Sequence, residues 1–270
     1  MKLGIFYHHV REAAKAEGVS IGEMLDYVKS LGIDYLEMDM DNASDIEGTA
    51  SLIKEHGFTA SNICVMYPWQ KDASEMLEGV QIRMAKAFGA DKIMPIPGLY
   101  TGEDSEKVKE LDRMIDGMSA LSDKAKEVGL SICIEDYDNA LSPIASMEGM
   151  KFFCDYVPDL KVAFDTGNFE FYCEDAWEAY ELLKDKIIHV HLKDRAQKKV
   201  TEGHPKEKLD HSFMYPCAVG DGDIPVAKIV KDLLRSGYDG IFTIEHYDVE
   251  DYKTAITRSV AYLKTLESEI

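Results

Sequence analysis

The 270-residue sequence predicts an α/β fold made of one domain over residues 1–270, a (β/α)8 barrel of the TIM-barrel class. Three observations carry that expectation. Short apolar runs alternate eight times with longer amphipathic ones. Five of the amphipathic runs end in a glycine just before the next apolar run. The length also fits the roughly 250 residues that eight βα units usually occupy.

The apolar runs are Leu3–Tyr7, Tyr35–Met38, Thr59–Val65, Lys92–Ile96, Leu130–Glu135, Lys161–Asp165, Ile187–Leu192 and Gly240–Glu245. Most are β-branched or aromatic and apolar throughout, the pattern of strands covered on both faces. Between them, Ile21–Leu31 places Ile21, Leu25, Val28 and Leu31 on one helical stripe. Glu106–Val128 repeats Val108, Leu111, Met114, Ile115, Met118 and Leu121 at the same period, and Ile224–Leu234 and Tyr252–Leu266 follow suit. Gly32, Gly57, Gly89, Gly129 and Gly237 stand where a left-handed residue ends a helix. An open doubly wound sheet fits less well, because no GxGxxG follows the first run. Residues 194–223, rich in Lys, His, Pro and Gly, are expected to be irregular. A loop that long inside a compact domain is usually functional.

Composition narrows the function classes. Fifty acidic residues against 30 Lys and Arg give a net charge of −20, which opposes nucleic-acid phosphates and anionic lipid alike. The expectation is no nucleic-acid partner and no membrane partner. Five cysteines without a CxxC make neither a disulfide framework nor a zinc ribbon. No run approaches the roughly 18 apolar residues of a membrane span, and the N-terminal run is too short for a signal-peptide core. A cytoplasmic location is the simplest expectation.

In a βα barrel the chemistry sits at the C-terminal ends of the strands. Four consecutive runs end in metal-ligand side chains: Glu135 in SICIEDYDN, Asp165 in KVAFDTGN, His189 and His191 in KIIHVHLKD, and Glu245 in GIFTIEHYD. Neighbouring strands lie about 4.8 Å apart, so side chains from four of them can converge. Three carboxylates and an imidazole suit a harder divalent cation, Mn²⁺ first, with Mg²⁺ or Co²⁺ as alternatives. The expected metal ligands are Glu135, Asp165, His191 and Glu245. His189 has the same parity as His191 but lies one layer deeper, as a hydrogen-bonding core residue or a partner of a ligand. His246 should face away from Glu245. His8, Glu37 and Trp69 would wall the mouth, Trp69 by stacking on a sugar face, and His9 is expected in a surface loop.

The strand ends IED, FDTGN, HVHLKD and IEH, together in chain order with the Gly-rich VGDGDIP turn, resemble the xylose isomerase-like TIM-barrel superfamily in its sugar phosphate isomerase/epimerase branch. The resemblance implies that the four residues bind one divalent metal and that Glu135 and Glu245 also act as acid and base. Ketose 3-epimerases of that family carry a His three residues after the Asp and an Arg six residues after the metal-binding His. Here those positions are Asn168 and Gln197. HVHLKD instead resembles inosose dehydratases and generic isomerase members, which implies that Lys193 and Asp194 lie near the substrate or behind a ligand, and Asn168 is expected among the substrate-binding residues. Branch members are often dimers or tetramers, which implies a homo-oligomer.

The expected chemistry is removal of a proton next to a carbonyl, through an enediolate of a small sugar or polyol. Return of the proton makes the enzyme an isomerase or epimerase. Loss of a β-hydroxyl makes it an inosose-type dehydratase, the alternative reading. VGDGDIP carries two aspartates that would repel phosphate, so an unphosphorylated substrate is expected. A metal-dependent phosphodiesterase of the endonuclease IV type is opposed by the charge. A non-catalytic sugar-binding barrel is opposed by the presence of both glutamates.

Overall fold

The computed structural model of the chain describes residues 1–76 and 79–269. In chain order the elements are β1 (Lys2–Phe6), α1 (Tyr7–Glu17), α2 (Ile21–Ser30), β2 (Ile33–Asp39), α3 (Ile46–Glu55), β3 (Thr59–Met66), α4 (Val80–Phe88), β4 (Lys92–Ile96) and α5 (Lys107–Glu127). They continue with β5 (Ser131–Ile134), α6 (Met147–Tyr156), β6 (Lys161–Asp165), α7 (Ala176–Leu183), β7 (Ile187–Leu192), β8 (Arg195–Ala196), β9 (Lys206–Glu207), β10 (Phe213–Pro216), α8 (Val226–Arg235), β11 (Ile241–Ile244) and α9 (Tyr252–Ser268).

Eight parallel strands close into a barrel in the order β1-β11-β7-β6-β5-β4-β3-β2. The large apolar cluster fills the space between this cylinder and its helices. Inside the cylinder, Met94, Cys133 and Ala163 make a small separate cluster. The interior is tight where β1 meets β11. A Cβ on Gly4 would come within 2.8 Å of Thr243 Oγ1, so glycine is needed there for the strands to approach.

All five junction glycines take positive φ, between 75° and 91°. That is the left-handed conformation which ends a helix, and it explains why each helix stops where it does. Ser20 and Glu23 form a reciprocal capping box at the start of α2.

Two expectations change. Residues 194–223 are not irregular throughout: β8, β10 and β9 form an antiparallel three-stranded sheet in that order. The first helix begins immediately after β1, so His8 and His9 lie in its first turn and not in a loop. His9 is fully buried, its Nε2 accepting the amide of His246 at 2.9 Å. Among the described residues, no helix is long and apolar enough to cross a membrane.

Candidate active site

The strands β11, β7, β6 and β5 are consecutive in the barrel, so their C-terminal ends share one rim sector. Register sets the depth. Asp165 pairs with His191, and His191 with Thr243, two residues before Glu245. Glu135 and Glu245 each lie one residue beyond the C-terminal end of their strand. One ligand atom from each of Glu135, Asp165, His191 and Glu245 lies within 4.8 Å of the other three, and all four residues are buried.

His191 sits at the centre. Its Nδ1 is hydrogen-bonded to Glu135 Oε1 and lies 3.2 Å from Glu245 Oε2. Asp165 spends Oδ1 on the amides of Gly167 and Asn168, both at 2.7 Å, which fixes the turn after β6. Its Oδ2 has no hydrogen bond, and neither has Glu245 Oε2. Buried carboxylate oxygens left without donors are costly unless a cation compensates them. The donor set therefore fits a hard divalent ion.

Within the protein alone, charges divide unevenly. Burial, together with the charges of Glu245 and Glu135, pushes the Asp165 carboxyl well up, although Lys193 opposes this. Burial also raises Glu135. Burial alone would raise Glu245 too, but Lys193 and His191 outweigh it and hold that carboxyl well below the usual range. His191 is raised despite burial, by Glu135 and Glu37. The imidazole thus sits among three acidic side chains, a setting that favours a cation.

A cavity of about 520 Å³ opens over this cluster, lined by Glu135, Asn168, Lys193 and Glu245 together with Tyr137 and Tyr247. Lys193 is buried, ion-paired with Glu245, 3.6 Å from Asp165 Oδ2, and donates to Asn168 Oδ1 at 2.6 Å. Asn168 is fixed by its own amide, which donates to the Asp136 carbonyl at 2.8 Å.

Three expected wall residues lie elsewhere. Trp69 is fully buried and stacked on Tyr67 at 4.0 Å, its indole N–H donating to the Glu75 carbonyl. Gly117 of α5 packs against its ring, so no face is free for a sugar. Glu37 is buried beneath the cavity, where it accepts hydrogen bonds from Ser61, Asn62 and His189. His8 is half-buried and stacked on Tyr247 at 5.6 Å, behind the wall and not in it. His246 turns away from the cluster and packs on α9, its Nε2 3.0 Å from Ser259 Oγ.

Sequence patterns gave no sign of Arg195 and Lys206, which the small sheet brings to the mouth. Arg195 donates twice to Asp248 at 3.2 Å, and Lys206 pairs with Asp138 at 2.7 Å. The Gly-rich VGDGDIP turn wraps a carboxylate of this chain. Asp194 accepts the amides of Gly220, Gly222, Ile224 and Arg195 at 2.8–3.3 Å. Donors that could have cradled an anion are already used.

The model of the family described as "Xylose isomerase-like TIM barrel" matches residues 25–266. Curated relatives include the inosose dehydratase of Lacticaseibacillus casei, 30% identical over 145 residues, or 50% of this chain and 47% of that protein. The chain thus spans about half the length of the curated relatives it matches. A solved structure described as the "probable 3-DHS dehydratase AsbF" of Bacillus anthracis has a TM-score of 0.72 at 12% identity, covering 98% of this chain and 99% of that one. A structure of L-ribulose 3-epimerase has a TM-score of 0.73 at 19% identity, covering 99% and 95%. Likenesses at such identities establish the fold alone.

Proposed function

Because this chain belongs to the xylose isomerase-like TIM-barrel family, we propose that it is a divalent-metal-dependent dehydratase of an uncharged keto-polyol, of the inosose dehydratase kind. The observation that carries the choice of dehydratase over isomerase or epimerase is the similarity to curated inosose dehydratases across half the chain. The two expectations share their first step, removal of a proton next to a carbonyl, and diverge at the second. Asn168 and Gln197, at the positions where ketose 3-epimerases carry His and Arg, point the same way.

Glu135, Asp165, His191 and Glu245 would hold the metal. When bound, such an ion supplies a Lewis acid that polarises the carbonyl beside the reacting carbon. Glu245 is the proposed base. Its carboxylate is kept ionised by Lys193 and His191 and faces the cavity. It takes the proton from carbon, the C–H electron pair forms the carbon–carbon double bond, and the adjacent C–O bond breaks. Glu135 is the proposed acid, and burial raises its carboxyl as that role requires. It protonates the departing hydroxyl, which leaves as water. Lys193 and Asn168 bind substrate oxygens, with Lys193 oriented by its bond to Asn168.

Electrostatic pairing supports an uncharged substrate. Each of the three cations lining the cavity is matched by a carboxylate of this chain: Lys193 by Glu245, Arg195 by Asp248, and Lys206 by Asp138. Asp39 and Asp41 add further negative charge at the mouth. A phosphate or carboxylate on the substrate would meet no unpaired cation there.

The test is incubation of chelator-stripped protein with Mn²⁺ and a panel of inososes, ketoses and 3-dehydroshikimate in D₂O. Loss of water from an inosose that needs the metal is the expected result. Metal-dependent exchange or epimerisation of a ketose without loss of water would move the reading to the epimerases. Turnover that survives chelation would refute the metal-centred chemistry.

A further inference from the structure

We infer that Glu37 is a positioning residue for the metal centre: it holds the Nε2 proton of His191, leaving Nδ1 as the nitrogen that binds the ion. The inference rests on the reading of Glu135, Asp165, His191 and Glu245 as metal ligands, and Glu37 is not among them. It lies on β2, buried below the cavity floor.

An ionised carboxylate offers about four lone-pair directions. Three are taken here by neutral donors. Oε2 accepts the Ser61 hydroxyl and lies against His189 Nε2, both at 2.9 Å. Oε1 accepts the Asn62 amide at 2.8 Å. The Asn62 side chain cannot be turned over, because its oxygen accepts the backbone N–H of Ile63 at 2.9 Å. Glu37 is therefore pinned from three sides, and its Oε1 lies 3.4 Å from His191 Nε2, a buried nitrogen that has no hydrogen bond in this structure.

The opposite edge of the same ring presents Nδ1 to Glu135 and Glu245. A neutral imidazole carries one N–H, and the group opposite each nitrogen decides which one keeps it. With the proton on Nδ1, a lone pair would face a buried carboxylate on one side and a proton would occupy the ligand position on the other. With it on Nε2, Glu37 is satisfied and Nδ1 is free. Glu37, His189 and His191 are themselves close enough to resemble a second cluster. The neutral donors that fill Glu37 leave no room for an ion there.

The experiment measures metal binding, not turnover. Apo-protein is titrated with Mn²⁺ by calorimetry and with Co²⁺ by visible absorption, for the wild type, Glu37→Gln and His189→Gln. Glu37→Gln keeps the volume but sets an amide N–H among donors, so Mn²⁺ affinity should fall about 10–100-fold and the Co²⁺ bands should shift. His189→Gln removes one of the three groups that hold Glu37 and the ring packed edge-on against His191 at 5.0 Å, but it leaves Glu37 itself and its bonds from Ser61 and Asn62 in place. It should lower the melting temperature, and weaken Mn²⁺ binding far less than Glu37→Gln does.

A second readout avoids any folding defect in the variants. Long-range ¹H–¹⁵N spectra of ¹⁵N-histidine-labelled, Mg²⁺-loaded wild type should show His191 protonated at Nε2. Either wild-type metal affinity in Glu37→Gln with an unshifted Co²⁺ spectrum, or an Nδ1–H tautomer in the loaded wild type, would overturn the inference. If the wild type takes up neither Mn²⁺ nor Co²⁺, the ligand reading itself falls and takes this inference with it.

Discussion

For its individual side chains, the site is unstable ground by construction. Asp165 Oδ2 and Glu245 Oε2 are buried oxygens with no hydrogen bond, and the Asp165 carboxyl is pushed up by burial and by neighbouring carboxylates. Asp165→Asn should relieve that repulsion in the metal-free protein. Its melting temperature should rise, at about 2–4 °C per kcal/mol for a chain of this size, while Mn²⁺ affinity falls by more than about 100-fold, beyond the range of an outer partner. Calorimetric titration and thermal melts on the same samples check both halves. A melting temperature that falls in the apo form would show that the carboxylate is compensated by groups of this chain. Glu245→Gln, read at saturating Mn²⁺ because Glu245 is also one of the four proposed ligands, tests the base. The amide can still accept from Lys193, so folding should be kept. Metal-dependent hydrogen–deuterium exchange at the substrate carbon should drop about 10²–10⁴-fold, the usual worth of a positioned base. Exchange at the wild-type rate would remove Glu245 from the role proposed for it.

Among the secondary-structure elements, the Gly-rich turn after β10 is a clamp built round Asp194. A Cβ on Gly222 would lie 2.1 Å from Asp194 Oδ1 and 2.6 Å from the Arg195 carbonyl, and neither belongs to a flexible chain end. Gly222→Ala should destabilise the fold by about 1–3 kcal/mol, as overpacking does. Because Arg195 comes directly after Asp194, the variant should also loosen the Arg195–Asp248 pair at the mouth. Urea unfolding and substrate affinity measured together test this, and an unaffected midpoint would refute the clamp. The same segment marks where the sequence stops being legible. Barrel strands announce themselves as apolar runs covered on both faces, and the five junction glycines mark the helix ends. Strands β8 and β9 are two residues each and pair antiparallel with β10 across long gaps, so they leave no periodicity to read. The convergence of Glu135, Asp165, His191 and Glu245 was legible because strand order and parity fix both depth and direction. Trp69 and Glu37 were misplaced for a complementary reason. Position near a strand end gives the height of a residue but not what packs over it. Gly117 and Tyr67 enclose the one, while Ser61, Asn62 and His189 enclose the other.

Across the molecule as a whole, buried neutral histidines tie stability to pH. His9 and His246 stack at 6.2 Å between β1, β11 and α9, and the His246 amide donates to the His9 ring. Burial pushes both imidazoles down, His246 from 6.5 to about 4 and His9 well below its usual value, each also opposed by the other's charge or by nearby cations. Between the folded value near 4 and the unfolded value of 6.5, the unfolded chain binds a proton that the folded chain refuses. Stability from such a group is fully present above pH 6.5 and is lost as pH falls through that window, to a limit of about 3 kcal/mol for a shift of this size. The net charge of −20 works the other way. Protonating surface carboxylates relieves self-repulsion as the solution is acidified. A single melting curve therefore mixes two opposing trends, and the difference between two proteins isolates one of them. In His246→Gln the amide can still accept from Ser259, yet it does not titrate. Its unfolding free energy should fall less steeply than the wild type's between pH 7 and 4.5, with the two curves converging toward the acid end. Parallel curves would mean that His246 binds its proton equally in both states, and that the aromatic cluster behind the mouth is wetter than its burial implies.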